Sequence, residues 1–206
     1  MFFHKTPWFI TKLFPGILWH YRRIEKVLYL TFDDGPLPEV TPWVLEQLKR
    51  YNAKATFFMV GENIIKHPET YNTVIREGHT VGNHSMNHLN GWETKNDHYF
   101  KNIAEMEELI KEQSRSLLRP PYGRIRLSQL KRLSKQYKIV MWDVLSGDFS
   151  KSLNKEEILS KSINSTRPGS IIVFHDSLRM FDKVKFVLPQ YLAHFHELGY
   201  TFKALQ

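Results

Sequence analysis

The sequence predicts an α/β fold: a closed or nearly closed barrel of seven parallel strands, preceded by an N-terminal arm. Three observations carry that reading. From residue 27 onward, short runs rich in Val, Ile, Leu and Phe alternate with stretches of helical period, and such alternation means a parallel sheet. Seven strand runs fall within about 180 residues, a density that suits a barrel. No low-complexity tract, linker or internal repeat divides the 206 residues, so residues 26–206 read as one domain and residues 1–25 as the arm. An open doubly wound sheet is the alternative, because strand order is not written in the sequence.

The elements follow in order. Met1 to Arg23 is rich in Trp, Phe, Ile and Leu, but Lys5, Pro7, Lys12 and Pro15 interrupt it. It lacks a continuous hydrophobic segment followed by a small-residue cleavage site, so it reads as an arm packed on the domain rather than a secretory signal. The other reading of the arm is interfacial membrane contact through Trp8, Phe9, Leu13, Phe14, Leu18 and Trp19. Val27–Phe32 is a β-rich run that stops at Asp33-Asp34-Gly35-Pro36. Thr41-Pro42 supplies an N-cap and a proline at the first helical position, and Val44, Leu45 and Leu48 continue at helical spacing. Ala55–Val60 is a second strand closed by Gly61, a helix from about Pro68 stops at Gly78, and Thr80–Asn83 is a third strand. Ile103, Met106, Leu109 and Ile110 mark an amphipathic helix over Asn102–Glu112. Leu117-Leu118 leads into Arg119-Pro120-Pro121, where consecutive prolines exclude a helix.

The same alternation continues to the end of the chain. A helix covers Leu127–Gln136 and a strand Ile139–Trp142, and Asn154 opens a helix with Glu156 and Glu157 in its first turn. The Pro168-Gly169 turn introduces the strand Ser170–Phe174. Val184–Leu198 is the last helix, stopped by Gly199, and Tyr200–Ala204 the last strand.

Composition narrows the function classes. The chain has no cysteine, which excludes a disulfide framework, thiolate zinc sites and a Cys nucleophile. The formal net charge of +8 suits an anionic polymer or a membrane surface. The basic residues are scattered and no nucleic-acid motif occurs, so nucleic acid is not an expected partner. No apolar run approaches the ~18–20 residues of a membrane span, and the expected location is cytoplasmic or peripheral to a membrane. No Ser sits in a nucleophile-elbow sequence and no glycine-rich phosphate loop is present.

Parallel β/α barrels carry their chemistry at the C-terminal ends of strands. Asp33 and Asp34 follow the first strand, His84 and His88 the third, Arg119 the fourth, Asp143 the fifth and His175 the sixth. Each alone has a structural reading: Asp-Asp-Gly-Pro is ordinary turn composition, and His84 and His88 suit one metal only if their segment is helical. Their convergence on one rim has no such reading. Two imidazoles and a carboxylate with an open coordination position make a hydrolytic site of the zinc type. A neighbouring carboxylate can then take a proton from water, and a His opposite can protonate the leaving group. His194 and His196, two apart on a helix, face different sides. His79 reads as packed or exposed, Trp43 as a core residue, and Trp92 as a residue that could line a groove.

From Lys26 to the C-terminus the sequence resembles the polysaccharide deacetylases of carbohydrate esterase family 4. The resemblance is carried by Thr31-Phe32-Asp33-Asp34-Gly35-Pro36, His84-Ser85-Met86-Asn87-His88, Arg119 to Gly123, and Val173-Phe174-His175, in the family's order. It implies a distorted (β/α)7 barrel, Asp33 as general base, Asp34, His84 and His88 as metal ligands, and His175 as general acid. It further implies that Arg119 holds the catalytic Asp, that the Tyr122 N–H helps form an oxyanion hole, and that Pro121, Phe149 and Val173 line the substrate pocket. The family's Asp-x-x-Asp-Trp stretch is Leu145-Ser146-Gly147-Asp148-Phe149 here. Its first Asp, implied to orient and charge the acid His, is therefore Leu145, and the Trp is Phe149. Asp143 and Asp148 are the other carboxylates that could serve His175. Without such a carboxylate, His175 would lose its proton at a lower pH than a typical family member's acid.

The expectation is a metal-dependent hydrolase that removes N-acetyl groups from an N-acetylglucosamine-type carbohydrate and releases acetate. It would use one divalent ion, zinc before cobalt or nickel. A deacylase of a membrane-linked amino sugar and a catalytically silent carbohydrate-binding protein are the alternatives.

Overall fold

Strands in a parallel sheet are buried on both faces, so they read as continuous apolar runs rather than alternating ones. The computed structural model describes residues 3–22, 24–110 and 116–206. It forms such strands at β1 (Val27–Asp33), β2 (Thr56–Met59), β3 (Thr80–Asn83), β4 (Leu117–Leu118), β5 (Lys138–Ile139), β6 (Val144–Leu145), β7 (Ile171–His175) and β8 (Thr201–Phe202). The strands pair in parallel in the order β5-β4-β3-β2-β1-β7-β6, with β8 against the start of β1. Late strand β7 returns beside first strand β1, as a barrel requires and an open doubly wound sheet does not. The result is a curled, incompletely closed barrel.

Among the described residues eight α-helices accompany the strands: α1 (Trp8–Leu13), α2 (Thr41–Arg50), α3 (Gly61–Lys66), α4 (Pro68–Arg76), α5 (Asn96–Glu107), α6 (Leu127–Leu133), α7 (Lys155–Ser165) and α8 (Phe181–Glu197). The expected strand Ile139–Trp142 is replaced by two separate two-residue strands, β5 and β6, which raises the count from seven to eight. Helix α5 runs from Asn96 to Glu107 rather than from Asn102, with Leu109 and Ile110 beyond its end; Glu112 itself lies outside the described residues. Thr41 is not a cap: Val40 holds that position, and the Thr41 hydroxyl accepts from Leu37 N–H and donates to Asp176. Asn154 does cap α7. Its side chain accepts from Glu157 N–H at 2.8 Å while Glu157 accepts from Asn154 N–H at 3.0 Å, a reciprocal box worth about 1 kcal/mol.

The main core lies between the sheet and the helices around it. Phe32 on β1 stacks on Phe57 of β2 at 5.0 Å and on Phe174 of β7 at 6.0 Å. Each such pair adds about 0.5–1.5 kcal/mol beyond the area it buries, so the three strands that end at the site are locked together. Val44, Leu45 and Leu48 of α2 and Val184, Val187 and Leu188 of α8 cover them. On the opposite face Arg119 is fully buried, its guanidinium 4.1 Å over the Phe58 ring.

Among the described residues β5 and β6 do not pair with each other, and the N-terminal segment fills the seam between them. Leu18 N–H donates to Ile139 O and Met141 N–H to Leu18 O, on the β5 side. Thr6 N–H donates to Asp143 O and Leu145 N–H to His4 O, on the β6 side. Ile17 is buried, and Phe14, Leu18 and Trp19 are partly buried against the core. Phe3, Trp8, Phe9 and Leu13 stay exposed. No described helix is long and apolar enough to cross a membrane.

Candidate active site

The carboxylate turn is built first. Strand β1 ends at Asp33, and Asp34 follows in a left-handed conformation (φ 85°) that non-glycine residues adopt only where surroundings enforce it. Those surroundings are visible. Asn63 of α3 donates to Asp34 O at 2.7 Å, and Gly35 N–H donates to the buried Asp176 carboxyl at 3.0 Å. A Cβ on Gly35 would lie 2.2 Å from Asp176 Oδ2, so only glycine fits. Thr41 donates to the other Asp176 oxygen at 2.6 Å. Sequence reading missed Asp176, whose one signal was its place next to His175. Burial, ahead of the nearby Asp34 charge, pushes its carboxyl up to about 8.

The histidine loop is built differently from expectation. Residues 84–90 are not helical; Ser85 (φ 64°) and His88 (φ 55°) are left-handed and fold the loop back. Asn83 Oδ1 accepts Ser85 N–H, and Asn102 Oδ1 of α5 accepts the N–H groups of Met86 and Asn87. The fold-back brings the two imidazoles to 5.0 Å between ring centroids. His84 Nε2 lies 3.8 Å and His88 Nε2 3.2 Å from Asp34 Oδ1.

These three residues fit a divalent ion. One ligand atom from each lies within 4.8 Å of the others, the one such cluster among the described residues; His194 and His196 form none. His84 Nδ1 faces the Arg119 carbonyl at 2.7 Å. A carbonyl can only accept, so Nδ1 carries the proton and Nε2 the free lone pair. Burial lowers His84 to about 4 against the opposing pull of Asp33, keeping it in the neutral, ligating form. Burial alone would raise Asp34, but the His88 hydrogen bond and the neighbouring His175 and His84 hold it well below the usual carboxylate range.

Asp33 and His175 are register partners on adjacent strands β1 and β7. Asp33 Oδ1 accepts from Arg119 Nη1 at 2.7 Å, and the same nitrogen donates to Thr31 Oγ1. Nη2 donates to Met141 O and Nε to Val140 O, so Arg119 is held in place behind the carboxylate. His175 Nδ1 lies 2.8 Å from Asp148 Oδ1, and Asp148 Oδ2 accepts His175 N–H at 2.7 Å. Burial would lower His175, but Asp148 outweighs it and raises the imidazole to about 10. That reverses the expectation drawn from Leu145. The carboxylate comes from Asp148, three residues later, and Leu145 forms part of the apolar cavity wall. Asp143 does not reach the rim: it accepts from Ser170 Oγ and Ile171 N–H at the start of β7.

The cavity between these groups has a volume of about 530 Å³ and is lined by Asp33, Asp34, His84, His88, Tyr122 and His175, by the arginines Arg124 and Arg179, and by apolar side chains. Phe149 lines it edge-on to His175 at 5.6 Å, beside Val173, Trp142 and Met180. Pro121 is buried in its turn and is not on the cavity wall. Tyr122 is left-handed (φ 60°) within that turn. Gly123 and Arg124 N–H groups return to Pro120 and Pro121 carbonyls, whereas Tyr122 N–H has no acceptor among the described residues. Trp92 is exposed, beside Arg124 rather than on the cavity wall. Trp43 packs on Phe181, and the buried His79 accepts Ala55 N–H.

Comparison with known proteins places this arrangement. Residues 20–142 match the family model described as polysaccharide deacetylase. A peptidoglycan-N-acetylglucosamine deacetylase of Bacillus cereus is 32% identical over 193 residues, covering 90% of this chain and 89% of that protein. Another from the same organism is 39% identical over 152 residues, covering 72% of this chain; the chain spans 55% of that relative's length. The crystal structure of the Bc1960 peptidoglycan N-acetylglucosamine deacetylase, solved with a naphthalenyl N-oxidanyl-benzamide, superposes with a TM-score of 0.88 at 31% identity. That match covers 97% of this chain and 95% of that one.

Proposed function

The chain belongs to the polysaccharide deacetylase family, and from that premise we propose that it hydrolyses N-acetyl groups of an N-acetylglucosamine-type glycan, releasing acetate. The observation that carries the reading is the pairing of Asp33 with His175. Two register partners on neighbouring strands line one cavity, one anchored by a buried arginine and the other by a buried carboxylate. A base and an acid facing the same small volume are what amide hydrolysis needs.

Family deacetylases use a divalent metal, and an ion held by Asp34, His84 and His88 supplies Lewis acidity at the acetamide carbonyl; zinc is our assignment, ahead of cobalt or nickel. Asp33 takes a proton from the attacking water as its oxygen bonds to the carbonyl carbon. The Tyr122 N–H donates to the oxygen on which negative charge develops. His175, protonated through Asp148, gives its Nε2 proton to the nitrogen as the C–N bond breaks. Acetate and the free amine leave. Phe149 and Val173 offer the acetyl methyl an apolar seat, while Pro121 shapes the turn that presents Tyr122. The test is acetate release from N-acetylated oligosaccharides before and after chelation and metal add-back. Full activity after exhaustive chelation would sink the proposal.

A second reading concerns the arm. Trp8 and Leu13 are 69% and 70% exposed on one short helix with Phe9 beside them, and Lys12 lies over the Trp8 ring. Aromatic and aliphatic side chains flanked by lysine suit the interface of an anionic lipid bilayer. Sedimentation with anionic vesicles, lost in Trp8→Ser/Phe9→Ser and absent with zwitterionic vesicles, is the expected result.

A further inference from the structure

The ionic groups around the cavity do not balance. Asp33 is matched by Arg119, His175 by Asp148, and the negative Asp34 by the ion its ligand set would hold. Two further cations line the same cavity, Arg124 and Arg179. Arg179 is exposed and forms no ion pair with any described residue. Arg124 lies within cation–π range of two rings, its guanidinium 5.3 Å from the Trp92 ring and 5.9 Å from the Tyr122 ring. Its one carboxylate partner, Glu93, lies 3.6 Å away with 75% of its side chain exposed. An exposed pair of that kind is worth little and exchanges readily for another anion.

The two arginines also sit apart. Arg124 follows the turn after β4 and Arg179 follows β7, and in the sheet order these strands flank the central β3-β2-β1 group. A glycan whose acetylated sugar reaches His175 would therefore pass an arginine on each side. A neutral N-acetylated polymer offers these guanidinium groups hydroxyl and amide oxygens but no opposite charge. A carboxylate matches the planar fork of arginine in two parallel hydrogen bonds.

We propose that Arg124 and Arg179 are specificity-determining residues that read carboxylates on the sugars flanking the one deacetylated, so that the preferred substrate is an acidic glycan. The inference rests on the deacetylase reading above. The two rings within cation–π range of Arg124 hold its guanidinium near the cavity before substrate arrives, which reduces the ordering cost of binding. Arg179 supplies charge on the other flank, and surplus positive potential at the mouth speeds association at low salt.

The experiment compares one peptidoglycan oligosaccharide in two forms, carboxyls free and carboxyls amidated, with kcat and KM read from acetate release. The wild type should favour the free-acid form by roughly tenfold or more, as expected of charge-assisted hydrogen bonds, chiefly through KM. The ratio should shrink as ionic strength rises. In Arg124→Gln/Arg179→Gln the ratio should fall to about one, while Arg124→Lys and Arg179→Lys should retain part of it. Equal turnover of both forms by the wild type, or a ratio unchanged in the double variant, overturns the inference. Absence of acetate from both forms overturns the deacetylase reading instead. In that case calorimetric binding of the same two ligands decides: an arginine-dependent preference for the acid form supports the inference, and equal binding overturns it.

Discussion

His84 and His175 are the same residue type, both inside the barrel mouth, and the fold holds them in opposite charge states. His84 Nδ1 meets a backbone carbonyl, and burial lowers the ring to about 4. His175 Nδ1 meets the Asp148 carboxylate, and the ring rises to about 10 in spite of its burial. The partner atom on the far side of each ring therefore decides whether the near side offers a lone pair or a proton. One half of the site is prepared to ligate and the other to donate, from the same side chain.

The sharpest way to break this contrast is to remove the ligating half. His84→Ala and His88→Ala should each lose the ion and turnover together, read by elemental analysis and acetate release. Asp33→Asn should lower kcat by about 10²–10⁴-fold while leaving the ion bound, whereas Asp34→Asn should weaken metal affinity itself. Calorimetric metal titration separates the two, and equal metal loss would mean their roles are misassigned. On the donating half, Asp148→Asn should drop the alkaline limb of the pH–rate profile to lower pH, because His175 then loses the charge that keeps it protonated. Leu145→Asp should move that limb little, since Asp148 already occupies Nδ1. The smallest effect is on stability without metal. The folded value of His175 lies above its ordinary 6.5, so its contribution is complete below about pH 6.5 and is lost as pH rises toward 10. Tm should fall across that window, and fall less in Asp148→Asn.

The long features of the fold were legible. The β1 run, the Asn154 cap and the Pro168-Gly169 entry to β7 each rest on a local rule that the structure obeys. The break in the expected Ile139–Trp142 strand was not: β6 is only Val144–Leu145, too short for any periodicity to declare. In the site, residue identity was readable but geometry was not. His84 and His88 read as a pair that needs a helix, yet two left-handed residues bring the rings together in a loop. Asp148 was one of two carboxylates within reach of His175, and spacing does not reveal which way a buried side chain turns. Arg124 and Arg179 gave no sequence signal, because an arginine in a loop looks the same whether or not it overlooks a cavity.

The strip of chain laid into the β5–β6 seam has a consequence for how the molecule is made. The hydrogen bond between His4 and Leu145 spans 141 positions, and Tyr21 N–H reaches Gly169 O. During synthesis residues 4–21 must therefore wait, without these partners, until most of the barrel has followed. Closure of such distant loops is slow, and until it happens two strand edges stand open to other chains. Deleting residues 1–22 should leave those edges uncovered for good, and the expected outcome is a protein that self-associates rather than one that merely loses an appendage. Refolding yield at increasing protein concentration, compared for the chain with and without residues 1–22, measures how far the closing of the barrel depends on this strip.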